Sequence, residues 1–280
     1  MSLENTVEDL IQKSYTNIPQ NEGDYIGENG LLYCGKCNTP KQVEIECFGK
    51  TRRPMCLCKC ATEKRDAEER EEKRRKFEER VKDLRRTGFP KGDMQNWTFA
   101  NDDMANEKIT KAMKNYVTHF AELKKQGKGL LLYGTVGTGK TFAACEVANA
   151  LIDKGYPVLV TNFARMINQI QGTFEKQEYI DSLNNFSLLI IDDLSAERDT
   201  SFANEQVFQI IDARYRANLP MIITTNLSME TLKRPESINQ QRVYERILER
   251  CFPIKVTGEN KRRNKIREEY RNMQELLGLD

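Results

Sequence analysis

Residues 129–141 read Gly129-Leu130-Leu131-Leu132-Tyr133-Gly134-Thr135-Val136-Gly137-Thr138-Gly139-Lys140-Thr141, and this stretch decides the fold. Its first five residues are an apolar run bounded by glycines, the pattern of a strand buried on both faces. Residues 141–154, TFAACEVANALIDK, read as a helix closed by Gly155. Between strand and helix stands G-x-x-x-x-G-K-T with an additional glycine at Gly137. Glycines let the backbone turn several N–H groups inward around an anion. The helix that begins near Lys140 adds the positive end of its dipole. A lysine can then reach the outer phosphates of a nucleotide, and a threonine hydroxyl can ligate Mg²⁺. Gly134, Thr135, Gly137, Thr138, Gly139, Lys140 and Thr141 are therefore the expected phosphate-binding residues.

Such a loop needs an acid on a neighbouring strand. Leu188-Leu189-Ile190-Ile191-Asp192-Asp193 supplies it, with two carboxylates at the end of a buried apolar run. Strand ends of this kind line the ligand-binding edge of open α/β sheets. Asp192 is assigned to Mg²⁺, and Asp193 to orienting or activating the attacking water. A third apolar strand, Pro220–Asn226, ends in Thr224-Thr225-Asn226, and the Asn226 amide can face the γ-phosphate and the lytic water. Pro157–Asn162 is a further strand, and residues 163–174 and 204–218 carry helical periods. Buried strands alternating with helices predict a parallel sheet covered on both faces.

Three compositional zones surround this pattern. The chain has 280 residues, 31% charged and 39% hydrophobic, with a net charge of +2. That balance excludes a uniformly basic protein that coats nucleic acid, though not a local basic patch. No segment approaches the roughly 18 consecutive apolar residues of a membrane span, and no membrane partner is expected. The first residues, MSLENTVEDLIQKSY, carry acids where a secretion signal needs bases, which points to the cytoplasm. Residues 61–87 are almost wholly charged, with Phe77, Val81 and Leu84 at i, i+4 and i+7. They read as a salt-bridged helical linker.

Before the linker, six of the eight cysteines fall within residues 34–60. Cys34-x2-Cys37 is followed, after 20 intervening residues, by Cys58-x-Cys60. Without a secretion signal, two close thiol pairs favour a tetrahedral Zn²⁺ site over disulfides. Cys34, Cys37, Cys58 and Cys60 are the expected ligands. Cys56 is an alternative to Cys58 or Cys60, and an iron–sulfur cluster is an alternative to zinc. Cys145 and Cys251 read as packing residues and Cys47 as a bystander.

GTVGTGKT, LLIIDDL, IITTN and RVYERI, in that order, resemble the AAA+ ATPases. More narrowly they resemble the DnaC/DnaI-type helicase loaders and the IstB-type transposition helper ATPases, over about residues 88–270. The resemblance implies an AAA+ P-loop core at 88–280, hydrolysis of ATP, and Asn226 as the sensing amide. It implies Arg246 as an arginine finger reaching a neighbouring subunit's nucleotide, with Arg242 and Arg250 as competitors. The segment Asn162-Phe163-Ala164-Arg165 would lie near single-stranded DNA, and Arg262 would act as a second sensor. Phe99, in the Asn-Trp-Thr-Phe segment at 96–99, would lie either near the adenine or in the core. Residues 1–60 would form a zinc-binding module that contacts a hexameric DnaB-type helicase, and the ATP-bound chain would assemble with itself into a spiral or ring. The alternatives are a transposition helper sharing the core, and a zinc-containing DNA-binding scaffold without turnover.

Overall fold

The computed structural model describes residues 3–18, 20–90, 92–103, 105–194 and 201–279. The chain divides into two compact units, Met1–Glu78 and Glu79–Asp280.

The first unit begins with α1 (Leu3–Asn17) and continues in two short antiparallel hairpins. These are β1 (Tyr25–Ile26) with β2 (Leu32–Tyr33), and β3 (Ile45–Cys47) with β4 (Lys50–Arg52). Its apolar interior is small, and a buried ion pair stands at its centre. Lys41, 1% exposed, donates to Asp24 Oδ2 at 2.6 Å. The long helix α2 (Lys59–Gly88) carries the unit boundary within it. Its surface is laced with i,i+4 pairs such as Lys76–Glu72 and Arg74–Glu78 at 2.6 and 2.7 Å. Each such exposed pair contributes only about 0.3–0.5 kcal/mol. Of the apolar stripe expected on it, Val81 and Leu84 pack on the core of the second unit, to which they belong, whereas Phe77 is exposed.

The second unit follows in the order α3 (Glu107–Thr118), α4 (Phe120–Lys125), β5 (Gly129–Tyr133), α5 (Lys140–Asp153), β6 (Val158–Asn162), α6 (Phe163–Gln171) and α7 (Lys176–Ser182). Then come β7 (Leu188–Leu194), α8 (Ser201–Arg216), β8 (Met221–Thr225), α9 (Met229–Lys233), α10 (Ile238–Arg250), β9 (Cys251–Lys255) and α11 (Lys261–Leu277). The five strands form one parallel sheet in the order β6-β7-β8-β5-β9.

Successive strand side chains point to opposite faces. Leu130 and Leu132 therefore join Val158, Val160, Leu188 and Ile190 beneath α3 and α5. Leu131 joins Leu189, Ile191 and Ile223 beneath α6, α8 and α10. Two cores on one sheet explain why Leu130–Leu132, Leu188–Ile191 and Met221–Ile223 are apolar on both faces. The arrangement brings the C-terminal ends of β7, β8 and β5 side by side.

Candidate active site

The two acids of LLIIDDL sit on a β-bulge. Ile191 pairs with Ile223 and Leu194 with Thr225, so Asp192 and Asp193 together oppose the single residue Thr224. In a regular strand two consecutive side chains would face opposite sides of the sheet. The bulge lifts that constraint, and both carboxylates line one cleft. Asp193 adopts φ +58°, a left-handed conformation uncommon for a residue with a Cβ. Thr224 holds the bulge: its hydroxyl accepts from the Asp193 N–H at 2.9 Å and donates to Asp192 Oδ1 at 2.7 Å. Thr224 is 2% exposed, so these bonds are made in a dry environment.

The loop after β5 meets these acids. Gly134 takes φ +148°, and a Cβ there would lie 2.3 Å from the Val256 carbonyl oxygen. Gly139, the residue before α5, has φ +92° and open space where a Cβ would stand. The Thr138 hydroxyl donates to Thr135 O at 2.9 Å and closes the loop. Lys140, 7% exposed, donates to Gly134 O, Thr135 O and Asn226 Oδ1, each at 2.8 Å. Thr141 Oγ1 donates to Asp192 Oδ1 at 2.7 Å, so the hydroxyl and carboxylate assigned to Mg²⁺ converge. Asn226 Nδ2 donates to Asp193 Oδ1 at 3.0 Å. Lys140, Thr141, Asp192, Asp193, Thr224 and Asn226 line a cleft of about 450 Å³ with Gly137 and Gly139; of the other expected loop residues, Gly134, Thr135 and Thr138 do not line it.

A second cavity of about 460 Å³ adjoins it, sharing Asp103, Gly139 and Phe142 and reaching Thr138, Glu146 and Val256. Of the two expectations for Phe99, packing holds. Its ring lies against the core, with the Lys114 ammonium 5.5 Å from the ring centre. The aromatic residues that line the cleft are Trp97 and Phe142, stacked on one another at 5.8 Å. Sequence reasoning missed Trp97, Phe142 and Thr224. The position of Thr224 at the tip of a buried strand was the available signal for the last of these.

Comparison with known proteins fits this geometry. Residues 64–269 match the family described as IstB-like ATP binding protein. The chain belongs to that family. The replicative helicase loader DnaI of Bacillus subtilis (strain 168) is 29% identical over 207 residues, covering 68% of this chain and 66% of that protein. The replicative helicase loader DnaC of Escherichia coli (strain K12) is 25% identical over 143 residues, covering 49% of this chain and 58% of that protein. The matches thus span less than two thirds of these relatives' lengths. The crystal structure of a DnaI superposes on 62% of this chain and 95% of its own, with a TM-score of 0.53 at 24% identity. The fold of this IstB-like chain is therefore the AAA+ α/β fold.

In this IstB-like protein the arginines of RVYERILER stand away from the cleft of their own chain, on α10 facing α8. Arg246 Nε donates to Asp212 Oδ1 at 2.8 Å and Nη1 to the Arg242 carbonyl at 3.0 Å. Arg250 lies over Tyr215 at 4.6 Å and donates to Asn218 Oδ1 at 2.7 Å. Arg242 lies over Phe208 at 5.8 Å. At the start of α6, Asn162 Oδ1 accepts from the Arg165 N–H at 2.9 Å, and Ala164 and Arg165 are exposed. The side chain of Arg262 lies outside the described residues.

The first unit brings the sulfurs of Cys34, Cys37, Cys58 and Cys60 within 4.8 Å of one another. Cys58 and Cys60 are 3.4 Å apart, and Cys34 and Cys60 3.7 Å. A Zn–S bond of about 2.3 Å implies tetrahedral S···S edges of about 3.8 Å, so the set fits one metal ion. Backbone N–H groups of Cys37 and Lys36 point at the Cys34 sulfur and lower its pKa. The Thr39 hydroxyl, 3.0 Å away, and the Cys60 N–H bring Cys37 down to about 6. Neighbouring sulfurs, Cys58 foremost, push Cys60 up to about 12. Four thiolates this close repel one another unless a cation lies among them. Cys56 stands outside the set, its thiol directed at Pro40 O. Cys145 and Cys251 are fully buried, and burial pushes both thiols up to about 12.

Proposed function

We propose that this chain is an ATP-hydrolysing loader that delivers a hexameric, DnaB-type replicative helicase onto single-stranded DNA. The observation that carries the ATPase reading is the convergence of three adjacent strand ends. One supplies Lys140 and Thr141, the next Asn226, and the third Asp192 and Asp193. Backbone N–H groups from Gly134 to Thr141 cradle the phosphates, and Lys140 places its charge on the β- and γ-phosphates. Thr141 and Asp192 would hold Mg²⁺, which would supply charge neutralisation to the transferred phosphoryl group. Asp193 and Asn226 orient the attacking water. Arg246 reaches the nucleotide of an adjoining subunit and stabilises the charge that develops there. ATP-dependent self-assembly, as a spiral or ring, is thus part of the mechanism. Exposed Ala164 and Arg165 at the amino end of α6 offer N–H groups and a guanidinium to a DNA phosphate.

The cysteine cluster favours loading over transposition. Transposition helpers of this family typically begin with a basic helical domain, whereas this chain carries four convergent sulfurs ahead of its ATPase core. Cys34, Cys37, Cys58 and Cys60 hold a structural Zn²⁺ in a module that contacts the helicase. A zinc site built from thiolates suits a reducing compartment, the cytoplasm. No helix among the described residues is long and apolar enough to cross a membrane.

Co-purification separates the readings. The full chain, with ATP and Mg²⁺, is expected to retain a hexameric helicase on a column. Retention of a transposase with no helicase would establish the transposition reading. Absence of ATP turnover, with or without single-stranded DNA, would leave only the scaffold.

A further inference from the structure

Helix α8 places Phe208, Asp212 and Tyr215 at i, i+4 and i+7, on one stripe of its surface. Helix α10 places Arg242, Arg246 and Arg250 at i, i+4 and i+8, facing that stripe. The two sets interleave. The Arg246 guanidinium lies 4.8 Å from the centre of the Phe208 ring and 5.6 Å from that of Tyr215. Arg242 lies over Phe208 and Arg250 over Tyr215. Of the three arginines, only Arg246 is bonded to the acid of the stripe, with Nε donating to Asp212 Oδ1 at 2.8 Å. The other oxygen, Asp212 Oδ2, accepts from Arg216 Nε at 2.7 Å. Asp212 is 9% exposed, so its charge is held largely out of water and is matched by these two cations. Tyr215 is itself fixed, its hydroxyl bonded to the Glu249 carboxylate at 2.8 and 3.0 Å.

We infer that Asp212, with the Phe208 and Tyr215 rings, positions Arg246 for its action on a neighbouring subunit's nucleotide. This rests on the proposed role of Arg246. The physical reason lies in the donor inventory of a guanidinium. Nε is spent on Asp212 and Nη1 on the Arg242 carbonyl, and the aromatic rings hold the guanidinium plane. Among the described residues Nη2 makes no hydrogen bond, so its two N–H groups, with the second N–H of Nη1, remain for phosphate oxygens. A rotamer-rich side chain is thereby held in one orientation before the subunits meet. Misplacement of a catalytic group by about 1 Å costs roughly 10²-fold in rate. The cradle also selects among the three candidates, because among the described residues no carboxylate accepts from the Nε of Arg242 or Arg250. Asp212 itself touches neither substrate nor reacting atoms, and is a positioning residue.

The test is a comparison of D212A, D212N, R246A and the D212A/R246A double variant, all as full-length chains in the assembled state. D212A is expected to lower kcat roughly 10²-fold while KM and nucleotide affinity stay at wild-type values. D212N keeps an acceptor for Nε and should recover most of the rate. Adding D212A to R246A should cost nothing further. D193N subunits, expected to bind ATP without turning it over and carrying an intact cradle, should restore turnover when mixed with D212A. A merely structural Asp212 would depress nucleotide affinity, add to the loss in R246A, and gain nothing from D193N subunits. Wild-type turnover by D212A, an additive loss, or absence of rescue overturns the inference. If D212A does not fold, D212E carries the same readouts, since it keeps the charge and shifts the carboxylate by one methylene. Wild-type turnover by R246A would instead remove the finger itself. An inactive R246A beside a fully active D212A removes only the positioning role.

Discussion

Lys140 donates to Asn226 Oδ1 at 2.8 Å, and the same amide donates through Nδ2 to Asp193 Oδ1 at 3.0 Å. One side chain at the tip of β8 thus links the lysine proposed to bind phosphate to the acid assigned to the attacking water. Asn226→Ala breaks both links while leaving the loop that binds ATP. It is expected to keep ATP affinity near the wild-type value and to lower kcat by about 10²-fold, the usual cost of one positioned donor. Steady-state turnover together with equilibrium nucleotide binding checks this.

Lys140→Ala should act on binding itself. It removes a charge expected to contact two phosphates, and at about 1.5 kcal/mol or more per charged hydrogen bond the loss is about 100-fold in affinity. Asp193→Asn should separate the two steps. Asparagine tolerates the left-handed backbone at φ +58° and preserves an acceptor for Asn226, so ATP binds and turnover is lost. Titration with a fluorescent ATP analogue beside phosphate release distinguishes the two variants.

The bulge depends on Thr224, buried between the two acids. Thr224→Val keeps the shape and removes the hydroxyl. The Asp193 N–H then loses the Thr224 hydroxyl as acceptor, at a cost of about 1–3 kcal/mol in unfolding free energy. Asp192 loses one of its two hydroxyl donors. Denaturant unfolding should show the loss, and a Mg²⁺ titration of ATPase activity should shift to higher concentration.

The sheet was legible because β5, β7 and β8 are apolar on both faces, a pattern that only a doubly covered sheet requires. The loop and the acids followed from their places at strand ends. Other features were hidden for identifiable reasons. β9 contains Pro253, which suits an edge strand that pairs only with β5, yet its five residues lack the apolar run that marked the others. The run KAMKNYVTHFAEL is split at His119 between α3 and α4, a break that no glycine or proline announces. The bulge leaves no mark in the sequence, because two acids at a strand end look alike with or without it. Trp97 and Phe99 differ by two positions, and only the packing of the intervening turn shows which ring meets the cleft.

Zinc should be integral to the first unit. One Zn²⁺ per chain is expected by metal analysis. Chelation should abolish the folded signal of residues 1–78 while leaving nucleotide binding by the second unit intact. Cys58→Ser should reproduce the effect, because metal binding supplies folding free energy in modules of this size. Cys56→Ser, outside the four-sulfur set, should leave zinc content unchanged.

Asp24 gives the first unit an acid-sensitive element. The Lys41 ammonium, then the Asn21 and Gly35 N–H groups, lower its pKa from the ordinary 3.8 to about 2. A depressed carboxylate stabilises the folded state in full above its unfolded pKa. That contribution is lost as pH falls through the folded value, so the window runs from about 4 down to about 2. Asp24→Asn should be destabilised at neutral pH, where the buried Lys41 loses the Asp24 carboxylate at 2.6 Å, and the gap to wild type should narrow across that window. Unfolding curves of the two full-length proteins at stepped pH, followed in the first unit, give the comparison.

ATP chemistry at this cleft is proposed to deliver a ring helicase to DNA. A forked DNA coated with single-strand-binding protein, a purified DnaB-type hexamer and the full chain test it directly by fluorescence unwinding. With ATP and Mg²⁺ the wild-type chain should start unwinding that the helicase alone does not begin, and Lys140→Ala should not. Equal unwinding with and without the chain, or equal stimulation by Lys140→Ala, would contradict the account.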